Sequence, residues 1–240
     1  ARKPSGSVGT TFPGSGTEWS IDAHVDVKRG FRSVVGLLDE ELDAVAVEPV
    51  PFSAHRRGEF TASHPGQFSV VDVLRSDNSI ALTLVSLYGI WDQDDRFLFA
   101  EGTLHRALSD LTILFQDRNR PNIVVAGDLN IYRQWAKADS GAYWSPRYDT
   151  VFDRLAAYGL AFRGPEGQAP LDRCPCGQGE QCRHVRTFAF QKKVTNRPYQ
   201  LDYVFSTDSV EVLSCGVISD ASDWTYSDHL PVEVLVRVPD

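Results

Sequence analysis

Apolar residues fall along this chain in short runs. Ser33–Leu38, Ala44–Val50, Phe68–Leu74, Ile80–Leu87, Asn122–Ala126, Leu201–Ser206, Val210–Ile218 and Val232–Val238 are rich in Val, Ile, Leu and Phe. Gly, Pro, Asp or Asn bounds them, so the pattern predicts strands. Two stretches carry a helical period instead. Phe97, Leu104, Leu108, Leu111 and Phe115 recur at spacings of three, four or seven, with Asp94 or Asp95 as the cap and Pro121 beyond the end. Val151, Leu155 and Tyr158 share a face behind Asp149, and Gly159 supplies the stop. These stripes read as core packing. Residues 1–17 are rich in Gly, Ser, Thr and Pro and read as a mobile end. With no internal repeat and no linker, residues 1–240 read as one domain. Many strands with a few interspersed helices predict an α/β fold of stacked mixed sheets flanked by helices.

Composition narrows the class. A chain of 240 residues buries a sizeable core, and 42% hydrophobic with 23% charged residues is ordinary for a globular protein. No apolar run nears the ~20 residues that span a bilayer, and no apolar segment follows the basic start. The expected location is cytoplasmic. A net charge of −8 argues against a basic coat for duplex DNA, but only the local field matters at a site. That charge is uneven. Arg183, Arg186, Lys192, Lys193 and Arg197 fall between 183 and 199 with no acid among them. The run reads either as a solvated loop or as a phosphate-facing surface, with Arg186, Lys192, Lys193 and Arg197 as candidate contacts to nucleic acid.

The motifs of serine hydrolases, P-loop proteins and zincins are missing from the sequence. Acids at strand ends stand out instead. A buried run, Ile123 to Ala126, stops at Gly127-Asp128-Leu129-Asn130, which sets a carboxylate and an amide two residues apart. Asp202 lies inside the apolar run Leu201–Phe205, where a charge is costly unless paired or exposed at a site. Asp228 and His229 are adjacent just before the last run. Singly, each has a plain reading as a turn residue, a cap or a structural histidine.

In order, these segments resemble the blocks of the endonuclease/exonuclease/phosphatase superfamily: G-D-x-N at Gly127–Asn130, L-D-Y-[IVF]-[FL] at Leu201–Phe205, and S-D-H-x-P-V at Ser227–Val232. Val85-Ser86-Leu87-Tyr88-Gly89 is similar to a tyrosine-bearing strand end of its apurinic-endonuclease branch. The resemblance runs over about residues 30–238. It implies a four-layer αββα, DNase-I-like sandwich that binds Mg2+ or Mn2+ through oxygen ligands. By that likeness Asp128 orients or deprotonates the attacking water, and Asn130 holds the phosphate or the metal. Asp228 ligates or positions metal; Asp128 and Asn130 complete its ligand set. His229 contacts the phosphate or acts as base, oriented by Asp202, and Tyr88 donates to developing charge. The implied activity is hydrolysis of a phosphodiester in DNA or RNA. The alternatives are a phosphatase or lipid phosphodiesterase of the same fold, or a non-catalytic remnant or binding module. The last arises because the family's leading Asn and Gln-Glu blocks have no counterpart here, as if an N-terminal strand-helix-strand lay outside this chain. Glu18, Asp22 and Asp26 are the candidates to replace the glutamate.

One segment falls outside the family pattern. Cys174, Cys176, Cys182 and His184 lie within eleven residues, inside a Cys/His and basic insertion spanning 172–199. Three soft ligands and an imidazole fit a structural Zn2+ site, and Gly177 and Gly179 permit the turn. Reduced loop thiols beside a surface histidine are the other reading. Cys215, alone in an apolar run, reads as a core residue.

Overall fold

The computed structural model describes residues 42–51, 54, 59–64, 66–93, 98–135, 141–189, 198–218 and 227–237. The expected strand Ser33–Leu38, the end 1–17, the caps Asp94 and Asp95, Phe97, and Glu18, Asp22 and Asp26 lie outside them. So do Lys192, Lys193 and Arg197.

The strands are β1 Asp43–Ala46, β2 Phe68–Leu74, β3 Ile80–Leu87, β4 Asp92–Gln93, β5 Leu98–Phe99, β6 Ile123–Asp128, β7 Ala161–Gly164, β8 Phe188–Ala189, β9 Pro198–Tyr199, β10 Asp202–Ser206, β11 Glu211–Val217 and β12 Val232–Arg237. The helices are α1 Glu101–Asp110, α2 Thr112–Phe115 and α3 Gly141–Ala157. Six strands form one sheet in the order β1-β2-β3-β6-β10-β7, in which β3 and β6 are parallel and the other neighbours antiparallel. β11 and β12 form a separate antiparallel pair.

Alternation along the central strands assigns the two faces. Val85, Leu87, Val125, Tyr203 and Phe205 pack with Leu104, Leu108 and Leu111 of the α1 stretch and with Val151 and Leu155 of α3. On the other face Val73, Leu82, Val124 and Val204 meet Val212, Cys215, Val232, Val234 and Val236 of the β11–β12 pair. Each such side chain, fully buried, contributes about 1.5–3 kcal/mol. The result is helix, sheet, sheet: three layers of the expected four, since the described helices all lie on one side. Arg154 of α3 binds α1 through the His105 carbonyl at 2.7 Å and the Ser109 hydroxyl at 2.9 Å. No helix among the described residues is long and apolar enough to cross a membrane.

Two helix boundaries differ from expectation. α1 begins at Glu101 behind Ala100, which makes no side-chain cap, because β4 and β5 pair across the stretch expected to open the helix. α3 begins at Gly141, before Asp149, and carries Pro146 inside it. Proline is read in sequence as a breaker, which is why the earlier turns were missed. β1 is shorter than Ala44–Val50 because its ladder with β2 ends at Ala46, one further bond from Val47 N–H to the Val70 carbonyl aside.

Candidate active site

β6 ends at Asp128 and β10 begins at Asp202, and their antiparallel register sets the two residues directly opposite each other. Like charges across adjacent strands repel. His229 lies against both. Its Nδ1 stands 2.9 Å from Asp202 Oδ2, and its Nε2 stands 3.7 Å from Asp128 Oδ2. One ligand atom from each of these three side chains lies within 4.8 Å of the others. Asp202 and His229 are partly exposed while Asp128 is buried, so the cluster opens outward from a carboxylate in the sheet.

Asp128 is held by its own loop. Its Oδ1 accepts the Asn130 backbone N–H at 2.9 Å, and its Oδ2 accepts the Asn130 side-chain Nδ2 at 3.0 Å. Asn130 Nδ2 also donates to the Gly89 carbonyl at 2.9 Å. Two acceptors on one side fix the amide nitrogen there, leaving Asn130 Oδ1 as the atom it offers a ligand. Asn130 adopts φ 51°, a left-handed conformation that asparagine tolerates. The close fit of β3 and β6 depends on two glycines. A Cβ at Gly127 would sit 1.9 Å from the Leu87 carbonyl oxygen, and one at Gly89 would sit 2.1 Å from the Leu129 oxygen. Gly89 N–H bonds the Asp128 carbonyl at 2.8 Å, and half-buried Tyr88 precedes it just past the end of β3.

The electrostatics follow from this crowding. Burial, then the Asp202 charge, pushes the Asp128 carboxyl up to about 8, against the pull of His229 and the Asn130 N–H. Burial opposes the charged form of His229. The Asp202 hydrogen bond and charge, with the charges of Asp128 and Asp228, outweigh it and lift the imidazole to about 9. Asp228 itself is exposed beside the tight cluster.

Residues with no assigned role in the sequence hold these groups in place. Thr187 is fully buried, and its Oγ1 accepts the N–H groups of Leu201 at 3.0 Å and Asp202 at 3.2 Å. Its carbonyl accepts Leu230 N–H at 2.8 Å, so one residue anchors the segments on both sides of the Asp202–His229 contact. The Tyr203 hydroxyl sits between the Gln200 and Ile131 carbonyls, at 2.7 and 3.1 Å, and receives Arg133 N–H at 3.1 Å. It thereby pins the loop after Asn130. No periodicity or motif marks Thr187. Tyr203 stands inside the Leu201–Phe205 block, and its hydroxyl in an apolar strand is the available signal.

The Cys/His segment also converges. One ligand atom from each of Cys174, Cys176, Cys182 and His184 lies within 4.8 Å of the others, and all four cysteines of the chain are free thiols. Arg183 is exposed and donates to the Glu180 and Cys182 carbonyls at 3.1 and 3.0 Å; Arg186 is half-buried.

No family model and no curated protein matches this sequence. Solved structures do. The endonuclease domain of TRAS1, a telomere-specific non-LTR retrotransposon, superposes with a TM-score of 0.51 at 16% identity, covering 92% of this chain and 81% of that one. An endonuclease/exonuclease/phosphatase from Bacteroides vulgatus superposes at 0.46 and 13% identity, over 83% of this chain and 66% of its own. The mannosyl-6-phosphatase Bt3783 of Bacteroides thetaiotaomicron gives 0.45 and 15%, over 86% and 71%. The likeness to the TRAS1 endonuclease domain is one of fold, a DNase-I-like mixed α/β arrangement.

Proposed function

We propose that this protein is a divalent-metal-dependent hydrolase of phosphodiesters in nucleic acid, working through Asp128, Asn130, Asp202, Asp228, His229 and Tyr88. The observation that carries the reading is the line Asp202–His229–Asp128 across the ends of two adjacent strands. Mg2+ or Mn2+ suits the donor set. Asp128 and Asp202 are crowded carboxylates, Asp228 stands beside them, and Asn130 offers an amide oxygen, all hard ligands. A bound cation there would relieve the repulsion that raises Asp128, and would supply charge neutralisation at the phosphate.

The residues divide the remaining work. Hydrolysis forms a bond from water oxygen to phosphorus and breaks the bond to the leaving oxygen, so one proton must leave the water and one must reach the leaving group. Asp128, its Oδ2 3.7 Å from His229 Nε2, orients the water and takes its proton. Asp202 fixes the His229 ring through Nδ1, so that Nε2 meets either the water or a phosphate oxygen. Asn130, its amide nitrogen engaged by Asp128 and Gly89, would offer Oδ1 to the cation, and Tyr88 donates toward developing charge. The endonuclease likeness and the basic stretch from Arg183 to Arg197 support nucleic acid as substrate.

The test is cleavage of a labelled oligonucleotide, with a phosphomonoester assayed beside it. Cleavage should require Mg2+ or Mn2+, stop with EDTA and resume when metal is restored. Asp128→Ala should lower turnover by orders of magnitude with an unchanged far-UV spectrum. An unchanged rate in that variant removes Asp128 from the chemistry. Turnover of the monoester with an intact oligonucleotide moves the activity to the phosphatase class.

A further inference from the structure

We infer that Cys174, Cys176, Cys182 and His184 bind one structural Zn2+ that fastens the insertion to the back of the phosphoesterase site. A tetrahedral zinc with bonds of about 2.3 Å to sulfur and 2.0–2.1 Å to nitrogen spaces its sulfurs about 3.8 Å apart, and each sulfur about 3.6 Å from the nitrogen. Cys174 Sγ and Cys182 Sγ each lie 3.6 Å from His184 Nδ1. Cys176, Cys182 and His184 are 4%, 1% and 2% exposed, so the donors face inward and away from solvent. Four protein ligands leave no open position, which marks a closed structural site and not a second catalytic one.

The local backbone is shaped for the cluster. Arg173, Gly177 and Gly179 all take positive φ, and a 3-10 turn at Gly179–Gln181 brings the chain back so that Cys182 and His184 meet Cys174. Outside the ligands, the Tyr132 hydroxyl lies 3.4 Å from Cys174 Sγ, placed to donate to a thiolate. The Tyr132 ring packs 5.3 Å from that of His184 and is buried.

The consequence reaches the active site by two short paths. Tyr132 is two residues beyond Asn130, so the cluster fixes the loop that presents Asn130. Thr187 is three residues beyond His184 and anchors Leu201, Asp202 and Leu230. Zinc therefore braces the Asn130 side and the Asp202–His229 side at once, while its ligands stay out of the reaction.

Metal analysis of the full chain, purified reduced and without chelator, should give about one zinc per molecule, separate from any Mg2+. Cobalt replacement should give intense visible bands of tetrahedral Co2+ with a thiolate-to-cobalt band in the near ultraviolet. Cys182→Ser should lose the metal. Cys215→Ser should keep it, and His184→Cys should keep it as a four-thiolate site. Since a ligand variant can fail to fold, the cobalt spectrum of the unaltered protein decides independently. Reduced protein that holds no zinc and gives no tetrahedral cobalt spectrum overturns the site. So does loss of metal from Cys215→Ser as complete as from Cys182→Ser. Neither readout uses hydrolysis, so the zinc site and the proposed activity stand or fall separately.

Discussion

A hydroxyl that accepts two backbone N–H groups does more for this site than its size suggests. Replacing Thr187 with Val keeps the shape but leaves the Leu201 and Asp202 amides without their acceptor inside the protein. Each orphaned donor costs about 1–3 kcal/mol. Thr187→Val should therefore lower the urea midpoint and also reduce kcat, since the second amide belongs to Asp202. Thr187→Ser, which retains the oxygen, should restore much of both. If Thr187→Val lowers stability while leaving kcat intact, the hydroxyl serves the fold alone. At this scale the sequence displayed the candidate residues Asp128, Asp202 and His229 that the fold brings together, because polar groups at the ends of apolar runs are conspicuous. It did not display Thr187, whose two bonds go to residues 14 and 15 positions away.

Among elements, the junction of β3 with β6 is the most exacting. Their parallel register from Thr83 with Ile123 to Ser86 with Ala126 runs directly into Gly127 and Asp128. Gly127 has φ 151°, and a Cβ there would overlap the Leu87 carbonyl. Gly127→Ala should cost at least about 3 kcal/mol and should disturb Asp128, its neighbour in the chain. Gly102 in α1 has nothing within 4 Å of an added Cβ, so Gly102→Ala should stabilise by up to about 1 kcal/mol. Chemical denaturation of the two variants compares them directly. Equal stability would mean that β3 and β6 can part without cost. Strands β2 and β3 were legible to the residue because each alternates between two buried faces and ends at turn residues. The starts of α1 and α3 were not. A short hairpin took the first, and a proline tolerated inside a helix packed through Val151 and Leu155 concealed the second.

Over the whole molecule the charge is −8, yet the stretch from Arg183 to Arg197 is purely basic. If that stretch meets phosphate, a Lys192→Ala/Lys193→Ala/Arg197→Ala variant should bind oligonucleotide more weakly without changing sequence preference. Its slope of log affinity against log salt should fall by about one for each lost contact. Fluorescence anisotropy across a salt series measures it, and an unaltered slope makes the run a solvated loop. The acidic remainder of the surface limits nonspecific binding, so the effect should be clearest at low ionic strength.

The sequence by itself determined the long strands β2, β3, β6, β10, β11 and β12, the buried stripe of Leu104, Leu108 and Leu111, and which polar residues stand out at strand ends. These depend on local period and residue type, and neighbours along the chain decide both. It did not determine the short strands β4, β5, β7, β8 and β9. Tertiary structure alone decided that Asp128 faces Asp202 across a ladder, that His229 bridges them, and that Thr187 and Tyr132 stand behind the site. Those pairings join residues far apart in the chain. Their energy comes from packing two sheet layers against one another, where strand order and register are set by the whole core and by no single segment.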